Sequence, residues 1–168
     1  MDNNIPKTEL IPDNHIHLDK VSLEHGINSI INDQSEVIIA LQKATTQIEI
    51  VTNKIYQVLS RSNEGRLIYS GAGTSARIGV QDGVELYPTF GWPKNRTEFL
   101  IAGGTKALLE PVENAEDNII IPQKLIMDLH LTKEDVIIGI AASGNTPFTN
   151  QILKESRKSK ALTIAISN

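Results

Sequence analysis

The spacing of apolar residues predicts one long helix in the first third of the chain. Between Val37 and Val58, apolar side chains recur at alternating steps of four and three, which places them on one face of a helix. Asp33–Glu36 fits a capping box, so we expect the helix to begin at Asp33 and to be ended by Asn63 and Gly65. The apolar face must be covered, either by the domain's own sheet or by a second subunit, and the spacing allows both.

Short apolar runs after residue 65 alternate with helical patterns. The runs predict four buried strands, at 66–70, 97–102, 135–142 and 161–166. Helices are expected at 75–86 and 148–159, a loop at 88–93, and helical segments interrupted by Pro111 and Pro122. Small residues at 76, 79 and 83 share one side of the first helix, which indicates close packing there. The alternation is typical of an α/β fold with a doubly wound, mostly parallel sheet.

The pattern also suggests how the chain is organised. Residues 1–34 carry Pro6 and Pro12 without a sustained period and are interpreted as an irregular arm, whereas 35–168 form one domain that includes the long helix. The sequence stops directly after the fourth predicted strand, while open sheets usually have about five or six strands. We therefore expect the last part of the domain to be missing.

Composition excludes several classes of protein. The 168 residues include no cysteine, which excludes a disulfide scaffold, thiolate metal sites and thiol catalysis, and favours the cytoplasm. Sixteen Lys and Arg against 20 Asp and Glu give a formal charge of -4 without a long basic block. Neither nucleic acid nor a membrane surface is therefore an expected partner.

Two turns rich in glycine and hydroxyl residues are the main candidates for ligand binding. Gly71–Ser75 and Ser143–Pro147 each follow a predicted strand and open a helix, where free backbone N–H groups and the helix dipole attract anions. Further donors are the hydroxyls of Thr74, Ser75, Ser143 and Thr146. A phosphate fits this arrangement, although each turn taken alone also fits a tight connection without a ligand.

Two other binding hypotheses are weaker. Gly71–Ala76 matches the G-x-G-x-x-A form of a dinucleotide fingerprint, but that fold needs an acidic residue after the second strand, where Ala102–Gly104 stands. His15 and His17 have a spacing that could bind a metal on a strand. No third ligand is apparent, so a solvated arm is favoured and no metal is expected.

Carboxylates remain as candidates for acid–base chemistry, because there is no cysteine and no histidine lies in the predicted loops. Glu85 precedes the segment Leu86–Gly91, and Glu116 lies in Glu113–Asn118 after the second strand. Glutamates near helix ends are usually solvated, so composition alone leaves both a catalytic and a surface interpretation open.

Six segments together point to one family. They are Gly65–Tyr69, Gly71–Ser75, Glu85 with Pro88–Gly91, Ile101–Gly104, Ala115–Asp117 and Gly139–Pro147. In this order they resemble the N-acetylmuramic acid 6-phosphate etherases, bacterial lyases built on the sugar isomerase (SIS) fold, and their relative the glucokinase regulatory protein. The resemblance implies catalytic roles for Glu85, as acid at the lactyl oxygen, and Glu116, as base at C2. It also implies a phosphate and sugar site formed by Gly73, Thr74, Ser75, Ser143, Gly144, Asn145 and Thr146.

The implied reaction converts N-acetylmuramic acid 6-phosphate and water to N-acetylglucosamine 6-phosphate and D-lactate, in cytoplasmic recycling of the cell wall. No cofactor is expected. A non-catalytic sugar-phosphate-binding or regulatory module and an aldose–ketose isomerase are the competing functions, since both would use the same loops. Ten residues separate Ser75 from Glu85, or about 15 Å along a continuous helix, which exceeds the reach of one sugar phosphate. We therefore expect a homodimer with active sites at its interface.

Overall fold

The structure is a computed structural model that describes residues 10–11 and 16–168. The chain forms two compact units, Met1–Asn53 and Lys54–Asn168. The described part of the first unit holds a short 3-10 turn, Leu18–Lys20, and most of helix α1, Leu23–Leu59. His15, half of the histidine pair noted above, lies outside the described residues, as do Pro6 and Pro12 of the arm.

Helix α1 begins ten residues earlier than the sequence predicts, so the expected start at Asp33 is wrong. Ser22 supplies the turn at the true start, where its Oγ accepts the His25 N–H at 3.2 Å. In the expected capping box, the Ser35 hydroxyl instead donates to the Asn32 carbonyl at 2.6 Å, as serine does inside a helix. The helix ends at Leu59, a few residues before the two predicted terminators.

The second unit is built on four parallel strands, as predicted. They are β1 (Leu67–Gly71), β2 (Thr97–Ile101), β3 (Val136–Ile140) and β4 (Leu162–Ile166), and they lie in the order β2-β1-β3-β4. The three helices after β1 are α2 (Gly73–Phe90), α3 (Ile120–Leu129) and α4 (Pro147–Ser156). From β1 the chain moves outward to β2 and then crosses back to β3, so the order reverses between β1 and β3. Such a switch point opens a crevice at the carboxyl ends of the strands.

Both faces of the sheet are covered at the central strands β1 and β3, which explains why most residues of these two strands are apolar and buried. On one face Ile68 and Ile137 are fully buried with Phe148 and Ile152 of α4. On the other face Leu67 and Tyr69 pack with residues that include Leu59 at the end of α1. Successive side chains of β1 therefore point to opposite faces of the sheet and belong to two separate cores.

The apolar face of α1 differs along its length. Ile55 and Val58 pack against the core around Leu67, within the second unit. Farther toward the amino end, Val37, Leu41 and Ile48 are 50%, 55% and 49% exposed. The domain's own sheet thus accounts for the last part of the predicted apolar face.

Helix α2 is longer than predicted, and the expected loop at 88–93 is wrong in its first half. The helix passes through Pro88, in its last turn, and ends at Phe90 with Gly91 as its C-cap. Gly91 adopts a left-handed φ of +70°, and its N–H donates to the Tyr87 carbonyl at 2.9 Å. The Pro–Thr–Phe–Gly segment is consequently a helix terminus rather than a loop.

Small residues let α2 lie directly on the sheet, as the sequence predicts. Ala76, Gly79 and Gly83 are its buried residues, and a Cβ at Gly83 would lie 2.6 Å from the Phe99 ring. The Tyr69 hydroxyl donates to Asp82 at 2.6 Å. Burial and this hydrogen bond raise the pKa of Tyr69 above its ordinary value, so the phenol stays protonated and ties β1 to α2.

A buried carboxylate joins the amino ends of β1 and β3. Asp135 is 1% exposed and accepts hydrogen bonds from the backbone N–H, Nε and Nη2 of Arg66, each at 3.0 Å. It also accepts the Thr132 N–H at 2.8 Å. Burial alone would raise the pKa of Asp135, but the hydrogen bonds from Arg66 and Thr132 outweigh it and hold the pKa below the ordinary value.

We expect Asp135→Asn to lower the free energy of unfolding at pH 7 by about 3 kcal/mol, because it leaves the Arg66 guanidinium without its partner. The stabilisation by Asp135 is fully present above about pH 4, the pKa of an unfolded aspartate, and is lost as the pH falls toward the lower folded value. Urea unfolding between pH 7 and pH 3 measures both effects, and the variant should have the shallower pH dependence. Asp128→Asn, on the exposed face of α3, is the control. Equal losses in the two variants would contradict the role of Asp135.

Candidate functional site

The connection between β1 and α2 is shaped by two glycines. A Cβ at Gly71 would lie 3.0 Å from both the Ala76 backbone nitrogen and the Ile140 carbonyl oxygen. Gly73, the first residue of α2, has a left-handed φ of +53°. Only one residue, Ala72, separates the strand from the helix, so the start of α2 stands directly at the carboxyl edge of the sheet.

The second predicted loop, between β3 and α4, is held by hydrogen bonds at both ends. Ser143 Oγ accepts the Asn145 N–H at 3.2 Å, and Asn150 Nδ2 donates to the Gly144 carbonyl at 3.1 Å. After β4, the Asn168 N–H donates to the Ala142 carbonyl at 3.1 Å. These contacts fix the loop beside the switch point.

The two helix starts share one electrostatic property. The N-caps are Ala72 for α2 and Thr146 for α4, and within residues 16–168 no side chain caps either of them. The first backbone N–H groups of a helix need acceptors, and the helix dipole places positive potential at the same point. At the start of α4, Pro147 has no N–H and the Phe148 N–H donates to the Glu116 carbonyl, so the start of α2 is the better suited of the two to bind an anionic group.

A cleft of about 280 Å³ lies at the start of α2. Gly73 and Thr74 form one wall, and the segment that follows β2 forms the other. That segment, 105–119, begins with a 3-10 turn at Thr105–Leu108 and carries Glu116. The cleft is lined by Ala72, Gly73, Thr74, Arg77, Ala102, Ala107 and Glu110 to Glu116. The structure thus brings Glu116 together with the first phosphate loop predicted from the sequence.

One backbone hydrogen bond links Glu116 to the second loop as well. The Phe148 N–H, in the first turn of α4, donates to the Glu116 carbonyl at 2.9 Å. Phe148 is only 1% exposed and belongs to the core on that face of the sheet. The segment that carries Glu116 is consequently anchored to the helix that follows the Ser143–Thr146 loop.

The remaining predicted residues lie outside the lining of this cleft. They are Ser75, Glu85, Ser143, Gly144, Asn145 and Thr146. Glu85 is exposed on α2, and the helix runs unbroken from Gly73 to Phe90. Ten residues from Ser75 to Glu85 correspond to about 15 Å of helix rise. Within one chain, therefore, the structure does not bring Glu85 to the cleft that contains Glu116.

Arg77 is a residue of the cleft that the sequence does not single out. Its Nε donates to the Leu108 carbonyl at 3.1 Å and its Nη2 to the Ala107 carbonyl at 3.0 Å. The guanidinium thereby ties α2 to the 3-10 turn on the opposite wall. The sequence does place Arg77 near the predicted phosphate loop, two residues after Ser75 on the same helix. The carbonyl groups that it binds are known only from the tertiary structure.

Two other kinds of site, a metal centre and a membrane-spanning helix, have no counterpart among the described residues. Within 10–11 and 16–168, no three or more His, Cys, Asp or Glu side chains converge so as to hold a metal ion. Over the same ranges, no helix combines the length and apolar character needed to span a bilayer.

Comparisons with curated proteins confirm the resemblance seen in the sequence motifs. An N-acetylmuramic acid 6-phosphate etherase of Clostridium acetobutylicum is 39% identical over 165 residues, which cover 96% of this chain and 53% of that protein. One of Mycoplasma mycoides subsp. mycoides SC is 42% identical over 164 residues, covering 95% and 52%. The chain thus spans about half the length of the curated relatives it matches.

The fold is also found in a solved structure. Phosphoheptose isomerase of Neisseria gonorrhoeae matches with a TM-score of 0.65 and 17% identity over 87% of this chain and 75% of that one. This likeness confirms the predicted α/β architecture. Residues 50–157 match the family described as the glucokinase regulatory protein N-terminal SIS domain. These residues include β1, β2, β3 and the cleft, and the chain belongs to that family of SIS domains.

Proposed function

We propose that the chain is the part of a carbon–oxygen lyase that binds N-acetylmuramic acid 6-phosphate and releases D-lactate, acting in the cytoplasm. The observation that carries the proposal is the cleft that combines the start of α2 with Glu116. The N–H groups at a helix start can bind the phosphate, and a carboxylate can transfer a proton. The similarity to curated etherases over 95–96% of this chain supports the choice of substrate.

The chemistry requires a base and an acid near adjacent carbons. In the open-chain sugar, the C1 aldehyde acidifies the proton on C2, and Glu116 removes it. The C3–oxygen bond then breaks, and the leaving lactyl oxygen takes a proton from Glu85, which gives D-lactate and a C2–C3 double bond. Water adds across that double bond, with its oxygen on C3 and a proton on C2, and yields N-acetylglucosamine 6-phosphate. No step calls for a cofactor.

The sugar phosphate lies between the two helix starts in this proposal. Gly73, Thr74 and Ser75 surround it from α2, and Ser143, Gly144, Asn145 and Thr146 from the loop before α4. The hydrogen bond from the Phe148 N–H to the Glu116 carbonyl supports this arrangement, because it couples the second loop to the proposed base.

Glu85 reaches the reaction only from a second subunit. The continuous helix α2 supports this part of the proposal, since its about 15 Å from Ser75 to Glu85 exceeds the span between the phosphate and C3 of one sugar. The half-exposed apolar residues of α1, such as Val37 and Leu41, offer surface for pairing in a homodimer.

A second candidate function is a regulatory module that binds a phosphorylated sugar without turning it over. The match of residues 50–157 to the SIS domain of the glucokinase regulatory protein favours it. The two functions differ in one product: a lyase releases D-lactate from N-acetylmuramic acid 6-phosphate, and a binding module does not.

We expect sugar 6-phosphates to stabilise the fold, because they bind the folded state alone. Glucosamine 6-phosphate at 100 times its dissociation constant should raise the free energy of unfolding by about 2.7 kcal/mol, which is measured as a rise in Tm. Ser143→Ala should weaken this rise. Ser62→Ala is the matched control, because Ser62 Oγ accepts the Glu64 N–H at 3.0 Å in an equivalent turn away from the cleft. An unchanged rise with Ser143→Ala would place the phosphate elsewhere.

Glu116→Gln should lower the rate of D-lactate release by about 10²- to 10⁴-fold, because it removes the general base. The measurement is a coupled D-lactate assay with N-acetylmuramic acid 6-phosphate. Glu113→Gln removes a neighbouring carboxylate that lines the same cleft, and it should keep most of the rate. Similar losses in both variants would argue for a general charge effect. Binding without any lactate release by the unmodified chain would favour the regulatory module.

Mixing two inactive variants tests the shared site. In a dimer of Glu85→Gln with Ser143→Ala, one of the two sites has both residues intact, so activity absent from each variant alone should partly return. Light scattering at micromolar concentration should give the mass of a dimer. A monomer would contradict the proposal, and a dimer that recovers no activity would place both residues in the same subunit.

A further inference from the structure

Arg77 is the one cationic side chain among the described residues that line the cleft. It lies on α2, a single turn beyond the Gly73–Thr74 wall where the phosphate is proposed to bind. Glu116 lines the same cleft. A ligand that contacts both walls therefore passes within reach of this guanidinium.

Two carbonyl groups hold the guanidinium in place but leave some of its N–H donors without an acceptor. A guanidinium has five N–H donors, and the carbonyls of Ala107 and Leu108 accept one from Nη2 and one from Nε. In the described parts of the chain, no acceptor is bound to Nη1. An anchored guanidinium with free donors binds a carboxylate well, because little side-chain freedom is lost on binding.

The cleft also needs a cation for an anionic ligand. Glu110, Glu113 and Glu116 all line it, so a ligand carboxylate entering the cleft without a positive partner would be repelled. The proposed substrate carries two anionic groups, the 6-phosphate and the carboxylate of the lactyl ether. The start of α2 and the hydroxyl groups of the two loops are proposed to bind the phosphate, and nothing assigned so far binds the carboxylate.

We infer that Arg77 binds the lactyl carboxylate of the substrate and determines the preference for a lactyl ether over the same sugar phosphate without it. This inference rests on the proposed function. The lactyl group is attached at C3, next to the C2 proton that Glu116 removes. Binding its carboxylate at Arg77 therefore orients C2 and C3 between the two walls of the cleft, which makes Arg77 a specificity-determining residue.

Calorimetric titration with two matched ligands tests the inference. The parent protein is the Glu116→Gln variant, which removes the proposed base so that the ligand stays intact. It should bind N-acetylmuramic acid 6-phosphate at least about tenfold more tightly than N-acetylglucosamine 6-phosphate, since a charge-assisted pair contributes at least that much. Adding Arg77→Gln should abolish this preference and change the affinity for N-acetylglucosamine 6-phosphate less than about threefold.

Controls separate charge, structure and function. Lys124→Gln removes one positive charge from the exposed side of α3, outside the cleft, and should keep the preference. Arg77→Lys keeps the positive charge and should keep part of the preference for N-acetylmuramic acid 6-phosphate. Equal weakening of both ligands by Arg77→Gln would show that the residue acts only through its carbonyl contacts, and would overturn the inference.

A change in the ligand tests the same point without changing the protein. N-acetylmuramic acid 6-phosphate with its carboxyl converted to an amide should bind the parent no better than N-acetylglucosamine 6-phosphate. If the amide binds as tightly as the acid, the carboxylate is not recognised and the inference is wrong. If the parent binds neither sugar phosphate, the proposed function fails and the inference fails with it, whereas equal binding of the two natural ligands contradicts the inference alone.

Discussion

The carboxylate of Asp135 is the constraint on which the second unit depends. It accepts hydrogen bonds from the backbone and side chain of Arg66 and from Thr132, so it fixes the start of β3 against the start of β1. These are the two central strands, and their carboxyl ends define the switch point. The register between β1 and β3 is the same along their whole length. An anchor at the amino ends therefore also fixes the positions of the two loops at the carboxyl ends.

Local pattern was enough to predict the sheet. The central strands β1 and β3 are short runs that are largely buried on both faces, and the pattern places all four strands within a residue or two of their true bounds. Helix ends were harder to predict, for reasons that particular residues show. Ser35 and Glu36 fit a capping box, yet the Ser35 hydroxyl bonds backward inside the helix. Pro88 suggested a loop, yet a proline in the last turn forfeits only one hydrogen bond of the helix.

The candidate site was predictable only where it is local. Gly71 and Gly73 signal a tight turn through their own sequence, and the structure has that turn. The contacts of Arg77 were not predictable, because their acceptors lie about 30 residues away on a segment without a regular pattern. Likewise, a resemblance between motifs named Glu85 and Glu116 together, but only the unbroken α2 shows that the two do not share one cleft within a chain.

The hydrogen bond between Phe148 and Glu116 has a consequence for how such domains diversify. Both of its atoms belong to the main chain, so replacing the side chain at position 116 leaves the bond intact. The loop can therefore keep its shape while the carboxylate proposed as its acid–base group is exchanged or lost. Such a fold can keep its cleft while it loses or changes a reaction. Enzymes and non-catalytic binding proteins can therefore share one architecture.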